Sequence, residues 1–354
     1  MSVRASGYFL ENPGGPLVHR DFEIGAPGPG EAVVEVLACG LCHTDLGFAD
    51  GSVAPRHALP LILGHEIVGR VVAAGAGVEP LAGRRVLVPA VMPCGACAWC
   101  RAGRANACPD QKMPGNDIDG GFATHVRVPG APLVDLEGAP AGIDLRQISV
   151  VADAVSTAYQ AVRRAGLAAG DAAIVVGAGG VGGFLVQIAR ALGARVVACD
   201  VRRDRLEALS AHGAEALVEV GERPPQELKK EVHGLLRSWG IPSVRYRIFE
   251  CSGTAAGQTL AFALLARAAT LLLVGFTPKS VELRFSNLMA FDATVHGSWG
   301  CPPEAYPEVL RLIYEGRVVL EPFLEPAPMS RLNELLDDMA HHRLSRRMVL
   351  DPRS

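Results

Sequence analysis

No apolar run in this 354-residue sequence approaches the roughly 18 residues that a membrane span requires. Neither sign of charge dominates, since 34 Lys and Arg stand against 37 Asp and Glu for a formal net charge of −3. That balance excludes a duplex-wide nucleic-acid footprint and a general attraction to anionic membranes, so neither nucleic acid nor membrane is expected as a partner. The amino-terminal MSVRASGYFLENPGGP has no basic stretch followed by an apolar one, so no secretory leader is expected, and a cytoplasmic protein is. Nine cysteines, an odd number, fit reduced thiols that bind metal better than a disulfide framework. What is present is ordinary globular material: 49% hydrophobic residues at this length can bury two cores, hence two domains.

Six of the cysteines and histidines define two metal-binding patterns. Cys94, Cys97, Cys100 and Cys108 read C-x2-C-x2-C-x7-C inside PCGACAWCRAGRANACP. Four soft thiolates separated by turn-forming Gly and Pro are what a closed tetrahedral zinc site requires. The alternative, disulfides, is strained at two-residue spacings and lacks an oxidising compartment. Cys42 lies in GLCHTD and His65 in GHEIVGRVVAAGAGV, apart in sequence but joined by a Pro-containing stretch that must fold back. Taken alone they read as a buried thiol and a core histidine. With other ligands they fit a catalytic zinc, which needs about three protein ligands and one exchangeable position. Cys39, Cys199, Cys251 and Cys301 are left as core or pocket thiols.

From Ala32 to about Arg127, short β-branched runs punctuated by Gly and Pro predict a mostly antiparallel or barrel-like β domain, with the zinc motifs on its loops. Near Val150 the pattern changes to alternating apolar strands and Ala/Leu/Arg-rich helices, the βαβ signature of a parallel sheet. Further strands are expected at YRIFECSG and ATLLLVGF, with a helix over 258–267 between them. Helices at YPEVLRLIYEGRV and RLNELLDDMAHHRL and a last strand at RMVLD follow. The basic residues between Gly221 and Arg247 are either a solvated helix face or a surface for a phosphate-bearing ligand.

The predicted strand AIVV runs into Gly177, Ala178, Gly179, Gly180, Val181 and Gly182, a G-x-G-x-x-G that opens a helix. Such glycines permit a tight turn and close backbone approach, and the helix N-terminus attracts a pyrophosphate. Asp200 ends the next strand eighteen residues after Gly182, where a carboxylate accepts hydrogen bonds from the adenosine ribose. It would repel a 2′-phosphate, so NAD is expected over NADP, although Arg202, Arg203 and Arg205 lie close by.

The GHE motif, four-cysteine lobe and dinucleotide turn, in this order, resemble the medium-chain zinc-dependent alcohol dehydrogenases over nearly the whole chain. The resemblance implies an α/β protein: a GroES-like β catalytic domain over residues 1–151 with the zinc lobe at about 92–110, a Rossmann coenzyme domain of doubly wound parallel sheet over 152–300, and a segment over 301–354 that returns to the catalytic domain. The active site would lie between the two domains. Two zinc ions per subunit and NAD are implied, in a homodimer or homotetramer that pairs through an edge strand near Gly275 or Val295–Gly300.

By the same resemblance Cys42 and His65 are catalytic zinc ligands, Glu66 is the neighbouring acid, and Asp153 stands where the family's third ligand is usually a cysteine. Either Asp153 or Glu66 would complete the set. Thr44 matches the hydroxyl that starts a proton relay, Asp45 an acid that orients His65, and His43 a coenzyme-pyrophosphate contact. Gly47 stands where the relay often ends in a histidine. Arg205 matches a basic residue near the adenosine ribose, and Thr157 and Val274 border the nicotinamide. The segments VPAVMPCG, QKMPGN, VVADAVST, FECSGTAAGQ and SWGCPPE are further similar to the dehydrogenases of anaerobic aromatic degradation that oxidise 6-hydroxycyclohex-1-ene-1-carbonyl-CoA to 6-oxocyclohex-1-ene-1-carbonyl-CoA. That similarity implies an acyl-CoA alcohol substrate. A simple alcohol or polyol, or hydration of a cyclic dienoyl thioester at the same zinc, are the alternatives.

Overall fold

The computed structural model describes residues 2–353, in two compact units. One consists of the chain up to Ser156, Gly300–Tyr314 and the chain from Leu320 onward; the other is Thr157–Trp299 with Glu315–Val319.

The first unit is built around strand Glu31–Gly40, in which Val33, Val34, Val36 and Ala38 are all fully buried. A strand covered on both faces must be apolar almost throughout, which is why it reads AVVEVLAC. It pairs antiparallel with Glu66–Ala74, and the register sets Cys39 opposite Ile67 and Gly40 opposite Glu66. The chain therefore leaves this strand at Leu41 and Cys42 beside the place where His65 enters the next. On its other side, Val349 lies opposite Gly40 and Leu350 opposite Cys39, so the carboxy-terminal strand Arg347–Asp351 brings Arg347 to the level of Cys42. Phe122, Ile67, Leu63, Met348 and Leu350 pack into the core beneath.

Two features here depart from the sequence reading. Val3–Leu10 and Val18–Ile24 form an antiparallel hairpin that was not anticipated, although Asn12, Pro13, Gly14 and Gly15 carry its turn chemistry. The GLCHTD motif is not a loop throughout, because His43–Ala49 is a short helix with Cys42 as its N-cap. The Asp45 carboxylate accepts the Cys42 N–H at 3.0 Å and so closes the first turn.

The second unit contains a six-stranded sheet that is parallel throughout. Counted from the unit's N-terminus, its strands are Ala172–Val176, Arg195–Asp200, Ala216–Glu219, Tyr246–Glu250, Thr270–Leu273 and Thr294–Gly297. They lie in the order 3-2-1-4-5-6, the doubly wound Rossmann arrangement whose ligands bind outside the carboxyl ends of the strands. The helix expected over 258–267 is found three residues earlier, at Ala255–Ala263. Thr254 is its cap, with the hydroxyl accepting the Gly257 N–H at 2.9 Å. No helix of the described residues is long and apolar enough to cross a membrane.

Candidate active site

One cluster forms from three separate stretches of the chain: donor atoms of Cys42, of the adjacent His65 and Glu66, and of Asp153 lie within 4.8 Å of one another. Asp153 arrives at the end of the 3-10 stretch Gln147–Ala152, just before helix Ala154–Arg164. Its Oδ2 is 3.7 Å from Cys42 Sγ and 3.5 Å from His65 Nε2. Bonds of about 2.0–2.3 Å to a tetrahedral zinc separate its donors by roughly 3.3–3.8 Å, so Asp153 already stands at the spacing the metal requires from both Cys42 and His65.

Two further observations fit a metal. His65 is 1% exposed, and its Nε2 has no hydrogen-bond partner. Its Nδ1 faces Asp45 Oδ1 at 3.1 Å, which directs the Nε2 lone pair toward Cys42 and Asp153. Burial disfavours the charged imidazole, but Asp45 and then Asp153 outweigh it, and the pKa is raised well above its ordinary value. Without a cation the cluster holds a proton there. Asp45 is itself fully buried, and its Oδ1 also accepts the Gly64 N–H at 3.1 Å.

Glu66 is held differently. Its Oε1 accepts Arg347 Nη1 at 2.6 Å and the Ala154 N–H at 3.2 Å. Its Oε2 has no hydrogen-bond partner and lies so close to Gly40 that a Cβ there would be 2.0 Å away. Burial pushes the Glu66 carboxyl up to about 7, Arg347 pulls the other way, and Asp153 adds to the rise. In the sequence, Arg347 is simply the first residue of the expected last strand, RMVLD. An arginine opening an otherwise apolar strand was the overlooked signal.

Near this cluster, Thr44 is exposed with its hydroxyl 3.8 Å from Cys42 Sγ, and His43 is exposed beside it. Ser52 donates to the Gly47 carbonyl at 3.3 Å, so a hydroxyl borders the position that lacks a side chain. In the cysteine lobe, Sγ–Sγ separations of 3.5 Å (Cys97–Cys100), 3.6 Å (Cys97–Cys108) and 3.5 Å (Cys94–Cys108) bring all four thiols together. Zn–S bonds of about 2.3 Å give tetrahedral edges of about 3.8 Å, and no disulfide joins the four.

In the second unit, the dinucleotide turn shows why glycine is required. Gly177 has φ +97°, and a Cβ on it would lie 2.5 Å from Ser252 N; a Cβ on Gly182 would lie 1.8 Å from Gly177 O. Gly179 caps helix Gly180–Ala191, and Val181 is half-buried in its first turn. Asp200 accepts the Ala178 N–H at 2.6 Å and the Arg202 N–H at 2.8 Å, which seats its carboxylate beside the turn. Arg202 is ion-paired with Asp204 and Arg203 with Glu207, whereas a Cβ on Gly179 would be 3.8 Å from Arg205 Nη1. Thr157 is 9% exposed, and the Val274 N–H donates to the Glu250 carbonyl at 2.9 Å. The Glu250 carboxylate, which sequence reasoning did not single out, accepts from Ser252 N at 2.8 Å and Gly253 N at 3.2 Å and shapes the loop against Gly177.

Several of the basic residues between Gly221 and Arg247 are held by neighbours of their own. Arg223 pairs with Glu227 and Glu231, and Arg245 and Arg247 with Asp171, while Lys229 donates to the Leu265 carbonyl at 2.6 Å.

A thiolate–imidazole–carboxylate cluster and a Rossmann glycine turn in one chain define a class, the metal-assisted dinucleotide oxidoreductases. The sequence profile described as "Alcohol dehydrogenase GroES-like domain" matches residues 28–138, and that described as "Zinc-binding dehydrogenase" matches residues 180–315. An alcohol dehydrogenase of Rhizobium meliloti (strain 1021) is 30% identical over 341 residues, 96% of each chain. L-galactonate-5-dehydrogenase of Escherichia coli (strain K12) is 30% identical over 309 residues, 87% of each. Among solved structures, galactitol-1-phosphate dehydrogenase from Escherichia coli superposes with a TM-score of 0.85 at 25% identity, over 98% of this chain and 100% of that one. The chain belongs to the medium-chain zinc-dependent alcohol dehydrogenase family, with its GroES-like and Rossmann domains, and is an oxidoreductase acting on CH–OH groups.

Proposed function

We propose that this protein is a zinc- and NAD-dependent dehydrogenase of a secondary alcohol, with a polyol or simple alcohol as its substrate class. The observation that carries the reading is the donor cluster of Cys42, His65 and Asp153, with His65 Nε2 buried and lacking a hydrogen-bond partner. These three residues hold the catalytic zinc, and Glu66, tied to Arg347, stays back as the neighbouring acid. A zinc held there would polarise the alcohol oxygen, and a bound nicotinamide would accept the hydride. Thr44 receives the proton, and with Gly47 in the relay position it passes outward to water or to Ser52. Asp45 keeps His65 in the tautomer that presents Nε2.

Cys94, Cys97, Cys100 and Cys108 hold a second, structural zinc, so each chain carries two. The first unit serves as catalytic domain and the second as coenzyme domain. There, Gly177, Gly179, Gly180, Val181 and Gly182 admit the pyrophosphate, and the Arg205 guanidinium carries the charge to meet phosphate. Thr157 and Val274 border the nicotinamide. Asp200, whose oxygens keep lone pairs for the ribose hydroxyls, favours NAD. Two copies pair through the edge strand Thr294–Gly297, near which Phe276, Phe285, Met289 and Trp299 are 53–79% exposed.

The narrower reading, oxidation of 6-hydroxycyclohex-1-ene-1-carbonyl-CoA, rests on the segment similarities alone. One assay separates the readings: reduced-nicotinamide formation by zinc-loaded protein with cyclohexanol, sorbitol, L-galactonate and the cyclic hydroxy-thioester, each with NAD and NADP. Turnover of the free alcohols or polyols with NAD is expected. Turnover confined to the thioester replaces the polyol reading with the narrower one, and conversion of a dienoyl thioester without coenzyme would reveal a hydratase.

A further inference from the structure

We infer that Tyr306, with Ser156, is a positioning residue for the catalytic metal: its phenol grips the Ala152 carbonyl and thereby fixes where the Asp153 carboxylate stands. The inference rests on the metal reading of the Cys42, His65 and Asp153 cluster.

Asp153 is the donor that most needs such a hold. Its side chain is 20% exposed, against 1% for His65, and its backbone (φ −134°, ψ −68°) belongs neither to the 3-10 stretch before it nor to the helix after it. Regular hydrogen bonding therefore does not decide its direction. Side chains do so from both sides. Behind it, the Ala152 carbonyl accepts Tyr306 O–H at 2.6 Å, its shortest contact, with the Ala90 N–H and Ser156 Oγ each at 3.2 Å. Ser156 Oγ lies 3.3 Å from the phenolic oxygen and 3.2 Å from both the Ala152 and the Asp153 carbonyls, so its single proton secures the phenol or one of these two peptides. Ahead, the Ala154 N–H donates to Glu66.

Tyr306 opens the helix Tyr306–Tyr314 of the returning carboxy-terminal segment and is fully buried. Burial raises its pKa well above the usual value for tyrosine, so the phenol remains a donor at every working pH. The arrangement works as an outer support for a metal ligand, acting through the backbone rather than on the carboxylate itself, and such supports are worth about 10–100-fold in metal affinity.

The test measures zinc release to a chromogenic chelator from the full-length, zinc-loaded protein, together with the visible bands of the cobalt(II)-exchanged protein. Compared are the wild type, Tyr306→Phe, Asp153→Asn and the double variant. Expected are about tenfold faster release from the catalytic site in Tyr306→Phe, unchanged release from the cysteine lobe, a shifted cobalt spectrum, and no further acceleration in the double variant. Unchanged release and spectrum in Tyr306→Phe, or effects of the two substitutions that simply multiply, would overturn the inference. Wild-type protein that holds zinc only in its cysteine lobe would overturn the metal reading as well. Should Tyr306→Phe fail to fold, Ser156→Ala is expected to change the same two readouts in the same direction, and no change would count against the inference.

Discussion

At the scale of single residues, the buried pair of Arg347 and Glu66 has the clearest energetic consequence. Removing one partner of a buried ion pair costs about 3–5 kcal/mol, because the other charge is left without compensation. Arg347→Met is therefore expected to lower the urea midpoint of the chelated protein strongly, and adding Glu66→Gln should recover most of the loss. A single variant no less stable than the double would show that the pair is not coupled. His65 makes a second prediction, about pH. Its raised folded-state pKa means that, above about 6.5, the metal-free fold keeps a proton that the unfolded chain releases. This group thus stabilises the metal-free fold at low pH and loses that contribution as pH rises through the raised pKa. Zinc competes for the same nitrogen, so uptake at the catalytic site should strengthen with rising pH. Equilibrium cobalt titrations at stepped pH read this directly, and affinity independent of pH would place the metal elsewhere.

Elements rather than residues explain how the two sites are shaped. Cys42 and His65 meet because two antiparallel strands pair with Gly40 opposite Glu66, and a one-residue slip would turn every side chain of one strand to the other face. The coenzyme turn depends on a helix that starts almost in contact with the strand before it. Gly182→Ala would place a methyl 1.8 Å from the Gly177 carbonyl, so the turn must open. Coenzyme affinity should fall at least about tenfold, a loss of about 1.4 kcal/mol, while the zinc content stays at the wild-type level. Fluorescence titration with reduced coenzyme and metal analysis of the same sample check both halves. The hairpin Val3–Leu10/Val18–Ile24 and helix His43–Ala49 were the elements least legible in sequence. The hairpin mixes charged and apolar residues on a half-exposed sheet, and the helix is too short for a periodic signal.

On the scale of the whole chain, the cysteine lobe is an appendage with little apolar packing of its own. Cys94 is exposed, Trp99 is 50% exposed, and helix Ala98–Arg101 is four residues long with none of them buried. With the proposed structural zinc bound, its order would come chiefly from the metal, as in other small zinc-held folds. Chelation is expected to open trypsin cleavage at Arg101 and Arg104 while the second unit, Thr157–Trp299, stays intact. Mass spectrometry of a timed digest would show this, and resistance of the lobe after complete zinc removal would contradict it.

Much of this molecule could be read from local sequence. The C-x2-C-x2-C-x7-C run, the glycines at 177, 179 and 182, and Asp200 at the end of its strand are short-range patterns whose chemistry is set by neighbours along the chain. The alternation of apolar strands and helices after Val150 likewise declares a parallel sheet, because each strand must be buried on both faces. Folding alone supplied the rest. Arg347 reaches Glu66 from the far end of the chain and Tyr306 holds the Ala152 carbonyl, while Asp153 beside His65 was expected only through the family resemblance; each contact spans from about ninety to nearly three hundred residues. No local propensity encodes such pairings. They exist because strand register and a returning carboxy-terminal segment bury these polar groups together, where each must find its partner among the others rather than in water.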